Sequence, residues 1–333
     1  MLLICPMQSS DSKAHLSTQF IIPASGIGDL NSPIFFAGSC FSEHIAGMLG
    51  ALGFQSMSNP FGILYNPMSL ATAMEKIATE YEYSSHDFVF QQGEFHSMHH
   101  HGSFKAQDAE SLAKRINEQN QAAHQFISEA SVAIITLGTA KVWQLREPSI
   151  VVGNCHKIPD HEFSTRLLTE HEIKVSLAKC AQYLSMINPS IKVMFTISPV
   201  KHLREGISAN LISKSRLISA VASFREEHPG VSYFPAYEIM TEELRDHRFY
   251  AEDLAHPSQW SFHYIFRRFC ETCFDGKTLK YMEDALAFNR MKNHRVLSKN
   301  EEEQQQWKNK CDSALEKLME NYPEKKFWPA GWR

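Results

Sequence analysis

The chain lacks any run of apolar residues approaching the roughly 20 that a membrane span needs. It also lacks a surplus of charge of either sign. Its 33 Lys and Arg stand against 37 Asp and Glu in 333 residues, a net charge of −4. That balance excludes the basic surface a nucleic acid or an anionic membrane would require. The opening Met1-Leu2-Leu3-Ile4-Cys5-Pro6 is apolar but has no basic stretch before it and no cleavage site after it, so no secretory leader is expected. Internal repeats and long Pro/Gly/Ser linkers are absent too. The expectation is a soluble, cytoplasmic protein with no nucleic-acid partner. With 43% hydrophobic residues it can bury a large core.

A disulfide framework is also missing. The seven cysteines (Cys5, Cys40, Cys155, Cys180, Cys270, Cys273 and Cys311) are odd in number and scattered, which suits a reducing compartment. Cys270 and Cys273 form the one close pair. They sit late in a helical run over 258–274, whereas a redox pair normally precedes its helix, and no second pair completes a zinc site. Both read as structural. His96, His99, His100 and His101 cluster without a HExxH pattern, and Glu94 is the one carboxylate close by, so they read as a loop over the site. No metal and no cofactor are expected.

What is present is alternation. Residues 34–37, 131–137, 192–197 and 231–234 are short apolar runs that predict strands. Between them, 43–53, 67–81, 106–130, 169–186 and 207–228 carry helical spacing, while 84–104 reads as irregular. Such β/α alternation predicts a parallel sheet covered by helices on both faces, a three-layer α/β/α domain. Residues 1–275 are assigned to that domain and 276–333 to a C-terminal helical extension. There, Trp307, Cys311, Leu315 and Leu318 place one stripe on a helix.

Gly38-Ser39-Cys40-Phe41-Ser42 follows the first strand, Gly138-Thr139-Ala140 the second, and Ser198-Pro199-Val200-Lys201-His202 the third. Open α/β sheets bind ligands at that carboxyl edge. Asp253-Leu254-Ala255-His256-Pro257 follows the fourth strand after a short insert and can reach the same edge. A nucleophile, an Asp and a His, in that order and with the last two three apart, are the parts of a nucleophile, base and orienter arrangement.

With Asn59-Pro60-Phe61-Gly62-Ile63-Leu64-Tyr65-Asn66-Pro67 and Asn154-Cys155-His156-Lys157, these motifs resemble the GSCFA family in content and order from about residue 20 to residue 270. Ser42 departs from that family's usual alanine. The resemblance implies an SGNH-hydrolase-like (flavodoxin-like) fold. It further implies an acyl-ester hydrolase or acyltransferase, with Cys40 where the wider SGNH/GDSL superfamily has its serine. The expected substrate is a small ester or an acylated carbohydrate.

On that plan Cys40 is the nucleophile, at a helix N-terminus that should lower its pKa. His256 is the base and Asp253 its orienter. Ser39 is the rival nucleophile, with a hydroxyl better suited to bonding loop backbone. The resemblance implies an oxyanion hole built from the Cys40 amide, a loop glycine and an Asn after the third-block glycine. Gly62 is the candidate second donor. That Asn is missing after Gly138, leaving Thr139, Asn59 or Asn154 as substitutes. His156, Lys201 and His202 are second-tier binding candidates. The rival expectation is a non-catalytic ligand-binding protein on the same scaffold, with Cys40 a vestige. The oligomeric state stays open.

Overall fold

The computed structural model describes residues 20–294 and 300–332. Along the chain, β1 (Ile34–Gly38) runs into α1 (Cys40–Gly50), then β2 (Ser56–Ser58) and α2 (Pro67–Ala78). An insert of β3 (Phe88–Gln91), β4 (Glu94–Ser97) and β5 (Lys105–Ala106) leads to α3 (Ala109–Glu129) and β6 (Val132–Leu137). A second insert, β7 (Lys141–Leu145), β8 (Ile150–Val151) and β9 (Phe163–Leu167), precedes α4 (Glu170–Ile187) and β10 (Lys192–Ile197). There follow α5 (Ile207–Glu227), β11 (Ser232–Phe234), the single turn α6 (Ala236–Glu238) and α7 (Gln259–Cys273). The C-terminal part holds α8 (Gly276–Lys292) and α9 (Glu301–Asn321).

The central sheet has the order β11-β10-β6-β1-β2, and every pairing in it is parallel. Counted along the sheet's own strands this is 2-1-3-4-5, the doubly wound flavodoxin-like order, whose direction reverses between β1 and β6. Strand residues alternate between two cores. Phe35, Ala37, Ala133, Ile135 and Phe195 pack under the α2 to α5 layer. Ile34, Phe36, Val132, Ile134 and Met194 pack under α1, α7 and α8. A sheet buried on both faces needs such unbroken apolar strands. The C-terminal helices share the second core: Tyr281 of α8 is fully buried and its hydroxyl donates to Leu52 O at 2.7 Å.

The stretch read as irregular, 84–104, instead carries most of a small antiparallel sheet, β3-β4-β5. Gln92 and Gly93 both have positive φ (51° and 82°), which suits the two-residue hairpin turn joining β3 to β4. A second antiparallel sheet, β8-β7-β9, was likewise not anticipated. Among the described residues, no helix is long and apolar enough to cross a membrane.

Candidate active site

Cys40 is the first residue of α1, set there by two local devices. Gly38 has φ 136°, and a Cβ on it would lie 2.1 Å from Thr136 O, so only glycine lets β1 turn this closely against β6. Ser39 is buried and caps the helix, its Oγ accepting from Phe41 N–H at 3.3 Å. The Ser39 hydroxyl thereby bonds loop backbone. Ser42 is buried too, donating to Thr136 Oγ1 at 2.7 Å.

The expectation of a lowered thiol pKa is not met. Burial, then the Glu43 carboxylate, raise the Cys40 thiol above its ordinary value; the N–H groups of Cys40 and Phe41 and the charge of Lys214 pull the other way and lose. Other thiols are held higher by burial, Cys155 pushed up to about 11 and Cys180 to about 12. Cys270 and Cys273 are buried free thiols whose pKa burial also raises.

At the other end of the site, Asp253 organises its own loop. Its Oδ1 accepts from the N–H groups of Ala255 (3.0 Å) and His256 (2.9 Å), and its Oδ2 lies 2.5 Å from His256 Nδ1. The backbone bonds from His256 and Ala255, then the imidazole, hold the carboxyl at about 2. An ionised carboxylate only accepts, so Nδ1 carries a proton and, in the neutral ring, Nε2 is left as a base. Among the described residues, no hydrogen bond joins His256 to Cys40 Sγ.

Between them lie residues that tie the two ends together. Lys201 N–H donates to Ala255 O (3.0 Å) and its Nζ to Leu254 O (3.4 Å), so the loop after β10 holds the Asp253 loop in place. His202 packs edge-on against Tyr65 at 5.1 Å, over a glycine: a Cβ on Gly138 would lie 3.0 Å from Tyr65 and 3.2 Å from His202 Nε2. Burial, then the charges of Lys214 and His256, push His202 down to about 4. The Tyr65 hydroxyl is raised by burial, then by Cys40 and Glu43, which places it in electrostatic reach of the thiol.

Three of these residues were not singled out from sequence: Tyr65, Glu43 and Lys214. Lys214 of α5 is 1% exposed, its Nζ donates to Ser198 O at 2.8 Å, and burial pushes it down to about 7 against the pull of Glu238 and Cys40. Its one legible signal is helical spacing from the buried Leu217 and Val221.

Several expected oxyanion groups are committed elsewhere. Gly62 N–H donates to Asn59 O at 2.7 Å, closing a turn. Asn59 Oδ1 accepts from Gly38 N–H (2.8 Å) while its Nδ2 donates to Glu43 Oε1 (3.1 Å), so it braces the β1–α1 corner. The N–H groups of Gly138 and Thr139 both donate to Tyr65 O, at 2.7 and 3.0 Å, and Thr139 Oγ1 pairs with Ser213 Oγ. Asn154 Oδ1 accepts from His156 N–H, and the His156 ring bonds Ser97 O (2.8 Å) and packs on His96. Asn154 and His156 thus support the β4 hairpin, not the Cys40 corner. The nearby histidines are engaged likewise: His100 bonds Ser97 Oγ (2.7 Å) and stacks on Phe61. Among the described residues, no three His, Cys, Asp or Glu side chains are grouped to hold a metal ion.

Three solved structures are remotely similar to this chain. A carbohydrate esterase family 3 protein from Talaromyces cellulolyticus aligns at 7% identity over 76% of this chain and 99% of that one, with a TM-score of 0.36. The periplasmic domain of a lipopolysaccharide acetyltransferase from Salmonella ser. Paratyphi A aligns at 11% over 73% and 83% (TM-score 0.34). An acetyl xylan esterase from Butyrivibrio proteoclasticus aligns at 12% over 77% and 64% (TM-score 0.36). No curated protein matches the chain. The model of the GSCFA family matches residues 33–269, most of the sequence, and the chain belongs to that family.

Proposed function

We propose that this chain is a cysteine-dependent acyl-ester hydrolase or acyltransferase acting through Cys40, His256 and Asp253. The observation that carries the reading is the Asp253–His256 pair, with Nδ1 held by an ionised carboxylate. It sits on a loop tied to the carboxyl edge of the sheet from which Cys40 also starts its helix. Cys40 Sγ attacks the ester carbonyl while its proton passes to His256 Nε2; the S–C bond forms, the C–O bond breaks, and His256 returns the proton to the leaving alkoxide. Water or an acceptor hydroxyl then takes the acyl group from the thioester. With the Gly62, Gly138 and Thr139 amides committed, the Cys40 N–H and the Tyr65 hydroxyl are the donors proposed for the oxyanion. The cytoplasm suits the free cysteines.

A second reading, a ligand-binding protein with a vestigial Cys40, is favoured by one observation: the thiol is raised, not lowered, by its surroundings. Intact-mass analysis after exposure to activated acyl esters separates the two. The enzyme reading expects an acyl adduct that Cys40→Ser abolishes as a thioester and that forms many-fold more slowly in His256→Ala. Absence of any adduct on Cys40 across the panel overturns it.

A further inference from the structure

A groove of about 1110 Å³ lies between α1, α7 and α8. Glu43 and Gly47 line it from α1, Ala51 from the cap just past that helix, Trp260 from α7, and Met282 and Leu286 from α8. Cys40 lies outside the lining but on the same stripe as Glu43, Gly47 and Ala51, at i, i+3, i+7 and i+11, so the groove wall starts about one turn along the helix from the sulfur. From Glu43 to Ala51 the wall runs roughly 12 Å at the α-helical rise. The α7 wall starts at the same end, since Trp260 lies four residues past His256.

The lining favours an apolar chain. Four charged residues, Glu43, Arg267, Arg290 and Lys292, interrupt an otherwise mostly apolar lining, and Arg267 is paired with Glu271 at 3.6 Å. At Gly47 the wall carries no side chain, and a Cβ there would meet nothing within 4 Å. Each methylene buried in such a groove is worth about fourfold in affinity. We propose that this groove holds the medium-length or long apolar acyl chain of the substrate, with its carbonyl at Cys40 and the chain laid past Gly47. The proposal rests on the Cys40 reading above and names its substrate class, an ester of a fatty acid.

The test compares p-nitrophenyl esters from acetyl to hexadecanoyl, read as rates of Cys40 acylation by intact mass, in wild type, Gly47→Ala and Gly47→Phe. Gly47 is interior to α1, so both replacements suit the helix, and thermal melting checks that they fold. Wild type should acylate faster with dodecanoyl than with acetyl esters. Gly47→Phe should lower that dodecanoyl-to-acetyl ratio at least tenfold, and Gly47→Ala should keep it. A ratio that chain length and Gly47→Phe leave flat overturns the groove assignment while leaving the Cys40 reading intact. If no ester acylates Cys40, that reading falls. Binding of a fluorescent fatty acid, displaced by dodecanoate, then decides the groove alone: binding lost in Gly47→Phe supports it, and no binding overturns it. A wild-type dimer that Gly47→Phe makes monomeric, seen by light scattering, assigns the groove to a second copy and also overturns it.

Discussion

The ammonium of Lys214 donates to the carbonyl oxygen of Ser198 at 2.8 Å from a site that is 1% exposed. Ser198 opens the loop whose Lys201 holds the Asp253 loop, so one buried cation anchors the far side of the candidate site. The anchor costs stability. Lys214 sits at about 7 in the folded protein and at 10.5 in the open chain. The unfolded chain therefore binds more protons between those values, and stability rises with pH across that window, by on the order of 4 kcal/mol. Lys214→Met should flatten this rise when urea denaturation is compared at pH 7 and pH 10. An unchanged slope places the titration elsewhere.

A second, half-buried cation acts in the opposite sense. Arg268 Nη1 lies 2.6 Å from both Glu243 carboxylate oxygens, and its Nη2 donates to Phe20 O at 2.6 Å. Tyr264 also donates to Glu243, at 2.7 Å. Arg268→Ala leaves a buried carboxylate without its cation, and breaking such a pair costs about 3 kcal/mol or more. Guanidinium unfolding should show a lower midpoint of that size. A loss below about 1 kcal/mol would mean that water takes the place of Arg268.

How much of this was legible follows from burial. Residues 34–37, 132–137 and 192–197 lie in a parallel sheet covered on both faces, so their apolar runs are unbroken and read directly as strands. Ser56-Met57-Ser58 makes an edge strand from its pairing with β1, and no apolar run betrays it. Gly38, Ser39 and Cys40 were legible because a strand, a cap and a helix start leave local signatures. The spent amides of Gly62 and Gly138 were not, because each is satisfied by a carbonyl whose position only the folded loops define. The same holds for Lys214, whose burial depends on packing against distant elements.

Ser42 offers a test of the motif itself. Its hydroxyl donates to the buried Thr136 Oγ1 at 2.7 Å, a bond the alanine usual at this position in the family cannot make. Ser42→Ala should cost about 1 kcal/mol, the net worth of a neutral hydrogen bond, measured as a lowered melting midpoint. Cys40 alkylation should stay within about twofold, since neither hydroxyl figures among the groups acting on the thiol. A larger change would draw Ser42 into the chemistry.

Glu43 and Lys214 act on Cys40 with opposite signs, which makes the thiol's titration the sharpest probe of this corner. Burial raises the thiol first, Glu43 raises it further, and Lys214 lowers it. Glu43→Gln removes the carboxylate charge while keeping an acceptor for Asn59 Nδ2, so the brace at the corner survives. Its Cys40 should ionise at lower pH and react several-fold faster with iodoacetamide at pH 7.5, because the thiolate is the nucleophile. Lys214, held at about 7, is already neutral where the raised thiol ionises, so Lys214→Met should leave the Cys40 midpoint in place. Peptide mapping across pH 6 to 10 follows Cys40 separately from Cys155, whose thiol is pushed up to about 11 and whose profile neither substitution should move. If Glu43→Gln leaves the Cys40 midpoint in place, burial alone sets the thiol's basicity. The oxyanion and acyl chemistry would then have to work with a thiol whose protonation the neighbouring charges do not control.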